Sequence, residues 1–195
     1  MNNPQWNREG ILHLLSVLDR RLIEKGESAN VYIIGGAAMI VTEVSPQTRT
    51  TMDIDAVIEA TPGFFDVVKE MAEDFGIPEN WINDSGARWV PARPDTVPTG
   101  VPDEPGLHAS YAPGNHLLAM KLISLRMKDS DDITDLARSL GIRSDDPDQL
   151  VDLVVGVFGD YLEQAIGHGG EGELRLRAMQ VCEGLPQLPP DREDW

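Results

Sequence analysis

The run Val31-Tyr32-Ile33-Ile34-Gly35-Gly36-Ala37-Ala38 and its continuation Thr50-Thr51-Met52-Asp53-Ile54-Asp55-Ala56-Val57-Ile58 decide how this chain folds. The first is a short apolar run stopped by a glycine pair. It predicts a buried strand, Val31 to Ile34, turning sharply into helix-compatible residues Ala37 to Val41. The second alternates, with Met52, Ile54 and Ala56 expected on one face and Asp53, Asp55 and Val57 on the other. It predicts a second strand with one apolar and one acidic face.

Carboxylates at positions i and i+2 of a strand point the same way, roughly 7 Å apart at Cα. Like charges that close raise each other's pKa unless a cation compensates. Their hard oxygens suit Mg²⁺, or Mn²⁺ in its place. A bare Asp-x-Asp is more often a solvated strand face, but aspartate is disfavoured in strands, and two within an apolar strand suggest a chemical reason. The glycine pair lets the backbone approach a phosphate closely, and the helix N-terminus behind it favours negative charge. Alone, it is more often a tight turn. It is not a P-loop, because no Gly-Lys-Ser/Thr follows.

Before this region, Ile11, Leu12, Leu14, Leu15, Val17, Leu18, Leu22 and Ile23 recur at helical spacing and predict an amphipathic helix ending near Gly26. After it, Gly63 to Phe75 reads as a helix ended by Gly76-Ile77-Pro78. Residues 78–106 are rich in Pro, Gly and Asp, with Trp81, Ile82, Trp89 and Val90 to bury. Short strands or an ordered loop are expected there, with Pro91 to Gly106 the most mobile part. Leu107 to Tyr111 reads as a strand. A strong helix opens at Pro113 or Asn115 and runs through Leu117, Leu118, Met120, Lys121, Leu122, Leu125 and Met127. A joint at Lys128–Asp132 follows, with Ser130 as the expected cap of a helix to Leu140, ended by Gly141. Pro147 to Ile166 reads as one helix, broken by Gly167-His168-Gly169-Gly170. Glu173 to Cys182 reads as a last helix, and Pro186 to Trp195 as an acidic tail.

The 195 residues carry a net charge of −17 and one cysteine. A lone Cys182 excludes an internal disulfide framework and fits a reducing cytosol. The first eight residues lack the basic region and apolar run of a signal peptide, and no apolar stretch has the length of a membrane span. A cytoplasmic protein without membrane contact is expected. The acidic balance disfavours a polyanion as partner unless Arg88, Arg93, Arg126 and Lys128 gather on one side, and it favours a basic partner protein. His13, His108, His116 and His168 show no metal-ligand spacing.

The order strand, Gly-Gly, helix, strand with Asp-x-Asp resembles the polymerase-β-like nucleotidyltransferase superfamily. Sixteen residues separate Gly36 from Asp53. This spacing, with Arg49, Thr51, Asp53 and Asp55 in an Arg-x-Thr-x-Asp-x-Asp run, resembles its AbiEii-type toxin branch. The segment Leu117-Leu118-Ala119-Met120-Lys121-Leu122, with Arg126, Asp129, Asp132 and Ile133, is similar to a second segment of that branch. Trp81-Ile82-Asn83-Asp84 before Trp89-Val90-Pro91 resembles an uncharacterised bacterial nucleotidyltransferase-like family.

The resemblance spans about residues 30–140. It implies an α+β fold: a small mixed sheet carrying the aspartates, helices packed against it and a helical C-terminal part. The expected divisions are a nucleotidyltransferase-like domain at 1–140 and a helical extension at 141–195 packed on it, or one domain comprising both. It implies Asp53 and Asp55 as metal ligands and catalytic residues. Gly35, Gly36, Arg49, Thr51 and Lys121 would bind nucleotide, with Lys121 and Asp132 in the active site. The implied activity is Mg²⁺-dependent transfer of an NMP from an NTP to an RNA, tRNA, protein or small-molecule acceptor. A toxin-like role in a toxin–antitoxin or phage-defence pair is implied, with a cognate partner protein encoded by an adjacent gene. The superfamily's third carboxylate is missing from Leu107-His108-Ala109-Ser110-Tyr111. That departure leaves a second reading open, a catalytically degenerate binding or regulatory protein, antitoxin-like.

Overall fold

A computed structural model describes residues 5–44, 50–87, 90–124, 126–143, 145–166 and 170–185. Arg49, Arg88, Trp89, the Gly167-His168-Gly169 break and the tail Pro186–Trp195 lie outside the described residues. The chain divides into two compact units, Met1–Pro113 and Gly114–Trp195. The division falls upstream of residue 140, where the sequence suggested a domain boundary.

The first unit is α+β. Helix α1 spans Arg8–Lys25. The Asn7 side chain accepts from Gly10 N–H at 2.9 Å and caps its start. Gly26, left-handed at φ 69°, ends it as the sequence predicts. Strand β1 is Ser28–Ile33, buried at every position. It starts earlier than Val31 because the polar residues ahead of the apolar run find partners, Ser28 N–H donating to Thr61 Oγ1 at 3.0 Å. Helix α2 is Gly35–Val41 and begins at the glycine pair itself.

Strand β2 is Ile54–Ala60, which corrects the expected strand at Thr50. Asp53 precedes the ladder, and Met52 is exposed rather than sharing the buried face of Ile54 and Ala56. Helix α3 is Phe64–Phe75, ended by Gly76 at φ 62°. The two-residue β3, Ile82–Asn83, and β4, Gly106–Tyr111, complete a four-stranded mixed sheet in the order β3-β2-β1-β4. β1 runs antiparallel to β2 and parallel to β4, and β2 runs parallel to β3. Trp81 is fully buried, with its indole N–H donating to Val68 O at 3.2 Å. A buried Trp satisfied in this way contributes large apolar area without an orphaned donor.

The second unit is helical. Helix α4 spans Gly114–Ser124, a 3₁₀ turn covers Met127–Asp129, and α5 spans Ser130–Ser139. Asp129, not Ser130, occupies the N-cap position of α5, and its side chain makes no cap hydrogen bond. Gly141, φ 68°, follows α5 as expected. The single helix expected from Pro147 to Ile166 is interrupted. Helix α6 is Pro147–Phe158, a 3₁₀ turn follows at Gly159–Tyr161, and α7 is Leu162–Ile166. The break sits at Gly159, whose φ of 51° lies outside the right-handed helical region. Helix α8 is Gly170–Gly184. Among the described residues no helix is long and apolar enough to cross a membrane.

Candidate nucleotide site

In the first unit the fold brings Gly35, Gly36, Thr51 and Asp55 together. β1 delivers the chain to Ile34, whose N–H donates to Asp55 O at 2.9 Å. Gly35 then adopts φ 61°. That left-handed conformation suits glycine and strains any residue bearing a Cβ. A Cβ built on Gly35 would lie 3.4 Å from Asp55 Oδ2, and one on Gly36 would lie 3.5 Å from Thr51 Oγ1. The glycine turn is therefore packed directly over the Asp55 carboxylate. Gly86 closes the third side, since its Cβ would meet Ile34 Cδ1 at 2.8 Å and Asp55 Cβ at 3.7 Å.

Asp53 is placed by a different device. Trp6 and Thr51 exchange backbone hydrogen bonds at 2.8 and 3.0 Å, forming an isolated antiparallel bridge. This holds Thr51, whose hydroxyl donates to Asp53 O at 2.9 Å and approaches Asp53 Oδ1 at 3.4 Å. Ile54 N–H then donates to Trp81 O at 2.7 Å and starts the ladder. The acidic pair thus straddles the start of β2, with both carboxylates partly exposed. Trp6 had no signal as a site residue. Its role emerges only from a pairing across more than forty residues.

Lys121 and Asp132 belong to the second unit, where they bond each other. Lys121 Nζ donates to Asp132 Oδ2 at 2.7 Å and to Asp129 Oδ1 at 3.0 Å. Arg126 Nε donates to the other Asp129 oxygen at 2.8 Å. The Lys121 side chain is only 8% exposed and that of Asp129 5%. Lys121 is therefore not a surface lysine snorkelling past Leu118 and Leu122. The joint between α4 and α5 folds Asp132 back onto it. Burial pushes the Asp129 carboxyl up, but the hydrogen bond and charge of Arg126 and the charge of Lys121 outweigh it and hold the group below the usual carboxylate range. Asp129 was legible only as part of a motif.

No family model, no curated protein and no solved structure matches this chain.

Among the described residues no group of three or more His, Cys, Asp or Glu is placed to hold a metal ion. Two carboxylates nevertheless fit Mg²⁺, which keeps several waters and takes one or two protein carboxylates beside substrate phosphates. Glycine backbone over Asp55 leaves the approach clear where a side chain would fill it.

Two expectations follow. Gly35→Ala should destabilise the protein by about 1–2 kcal/mol through its left-handed φ, whereas Gly36→Ala, free of that constraint, should cost well under half as much. Urea unfolding of both variants checks this, and equal midpoints would contradict it. The second concerns acid. Burial pushes His116, on α4, below the usual imidazole value. A group whose folded pKa is depressed contributes stability present above its unfolded value and lost as pH falls. The helical signal should therefore lose urea resistance below pH 6.5, from His116, and again below 3.8, from Asp129. A midpoint unchanged from pH 7 to 5 would contradict the first step, and His116→Asn should remove it.

Proposed function

We propose that the first unit is a nucleotide-binding module of the nucleotidyltransferase type, moving an NMP from an NTP to an acceptor hydroxyl. The single observation that carries the reading is the glycine turn packed over Asp55, with Gly35 left-handed and 3.4 Å of Cβ clearance to the carboxylate. Asp53 and Asp55 would hold Mg²⁺, or Mn²⁺, which supplies neutralising charge to triphosphate oxygens when bound. Gly35 and Gly36 admit the phosphates close to the backbone. Thr51 fixes Asp53 through its backbone oxygen. Arg49, by its place two residues before Thr51, is assigned to the phosphates. Lys121 and Asp132 enter the reading through the resemblance of their segment. Their mutual ion pair already accounts for both charges within their own unit. A toxin-like role in a two-protein system, with a tRNA, protein or small-molecule acceptor, is the biological form this reading takes. The net charge of −17 favours the latter two acceptors and a basic cognate partner.

A second reading is favoured by β4. Its residues, Gly106 to Tyr111, include no carboxylate, where an active transferase would place a third acid beside the pair. On that reading the module binds nucleotide without turnover and acts as a regulatory or antitoxin-like partner. Incubation with each labelled NTP and Mg²⁺ separates the two. Label transfer abolished by Asp53→Asn supports the transferase. Metal-dependent binding without transfer supports the second reading. Neither binding nor transfer contradicts both.

A further inference from the structure

Asp53 stands just outside the β2 ladder, which begins at Ile54. Its placement therefore depends on what holds the chain to either side. Downstream, the Ile54 N–H is bonded to Trp81 O. Upstream, Met52 is half exposed and brings no burial to fix the backbone. The upstream hold falls on Thr51, where the acidic pair, the glycine turn and the N-terminal segment meet. The Thr51 hydroxyl donates to Asp53 O at 2.9 Å. The same oxygen lies 3.5 Å from where a Gly36 Cβ would stand, so it also packs against the glycine turn. The Thr51 N–H and C=O are paired with Trp6, in the segment that leads into α1.

That segment is anchored to α1. Asn7 caps the helix, and half-buried Trp6 lies against its first turn, where a Cβ on Gly10 would stand 3.3 Å from Trp6 Cβ. Thr50 Oγ1 donates to Gln5 Oε1 at 2.9 Å beside the bridge. Yet the bridge is isolated, a single residue pair outside any strand. Such a hold opens and closes locally, without unfolding a ladder.

We propose that Gln5–Asn7 form a clasp that regulates the acidic pair. Trp6, acting through Thr51, is a positioning residue for Asp53, and metal binding and clasp closure strengthen each other. This rests on reading Asp53 and Asp55 as a metal site. The physical basis is repulsion. Two carboxylates held side by side disfavour each other's charge until a cation compensates. Closing the clasp fixes Asp53 beside Asp55, and that costs less with the cation bound. By linkage, the closed form binds the cation more tightly by the same factor.

The test titrates Mn²⁺ alone into the full chain, followed by water-proton relaxation, and measures hydrogen exchange at the Thr51 amide with and without Mg²⁺. Trp6→Pro removes the N–H that donates to Thr51 O, whereas Trp6→Ala removes the same indole and keeps that N–H. Trp6→Pro is expected to bind Mn²⁺ about fivefold or more weakly than Trp6→Ala. Thr51→Val, which lacks the hydroxyl, should weaken binding similarly, and Thr51→Ser should restore it. Exchange at the Thr51 amide should slow when Mg²⁺ binds, and should not respond in Asp55→Asn. A bridge with a merely structural role would leave Mn²⁺ affinity unmoved and exchange indifferent to metal. Equal affinities in either comparison, or Thr51 exchange that ignores Mg²⁺, would overturn the clasp. If Asp55→Asn still abolishes Mn²⁺ binding, the metal-site reading survives that result. If Trp6→Pro fails to fold, Thr51→Val against Thr51→Ser decides. No Mn²⁺ binding, or binding indifferent to Asp55→Asn, would sink the metal-site reading and the clasp with it.

Discussion

Lys121→Met is expected to destabilise the protein by about 3–5 kcal/mol, the cost of breaking a buried ion cluster by removing one member. Lys121 lies between two carboxylates whose side chains are 5% and 14% exposed. Methionine fills nearly the same volume, so the loss is electrostatic rather than a cavity. Arg126 stays on Asp129, but both carboxylates lose their bond to Lys121. A triple variant, Lys121→Met with Asp129→Asn and Asp132→Asn, should recover much of the loss, since removing a whole buried ion cluster is far cheaper than breaking it. Urea unfolding followed by helical circular dichroism measures both. A single variant as stable as wild type, or a triple variant no better than the single, would contradict this assignment.

The second large effect concerns the acidic pair. Asp53→Asn or Asp55→Asn is expected to lower metal-dependent nucleotide transfer about 100-fold or more, because each removes a charged oxygen from a site with few protein ligands. Stability should hardly change, because both side chains are partly exposed. Asp55→Asn is the more informative, since its carboxylate lies directly under Gly35. Unchanged transfer in either variant would remove the pair from the chemistry.

The elements that define this site were legible where their signals are local. The apolar run before Gly35, the helix signals around α1 and α3, and the left-handed glycines at Gly26, Gly76 and Gly141 all act within a few residues. The start of β2 was not legible. Alternation from Met52 to Val57 reads as one continuous strand. The ladder instead begins at Ile54, where β3 and the Trp81 carbonyl become available, and the Trp6 bridge takes Thr51. Pairing partners far along the chain set that edge, and Met52 is left in solvent.

Glu59 shows the opposite case. It continues the alternation of Asp53, Asp55 and Val57, so its face was readable, yet its bonds to Arg93 and Gly100 join it to a segment far along the chain. The cluster of Lys121, Asp129 and Asp132 is likewise a product of chain reversal. Eleven residues apart, Lys121 and Asp132 would share a face only of an unbroken helix. They meet instead because the chain turns through Met127–Asp129.

The central claim, that the glycine turn over Asp55 is a metal–nucleotide site, is tested most directly by calorimetry. The wild-type protein and an Asp53→Asn, Asp55→Asn double variant would be titrated with non-hydrolysable NTPs, with and without Mg²⁺. The expected result is binding that requires Mg²⁺ and falls at least tenfold in the double variant. Binding that is indifferent to Mg²⁺ and to both substitutions, or no binding of any NTP, would contradict it.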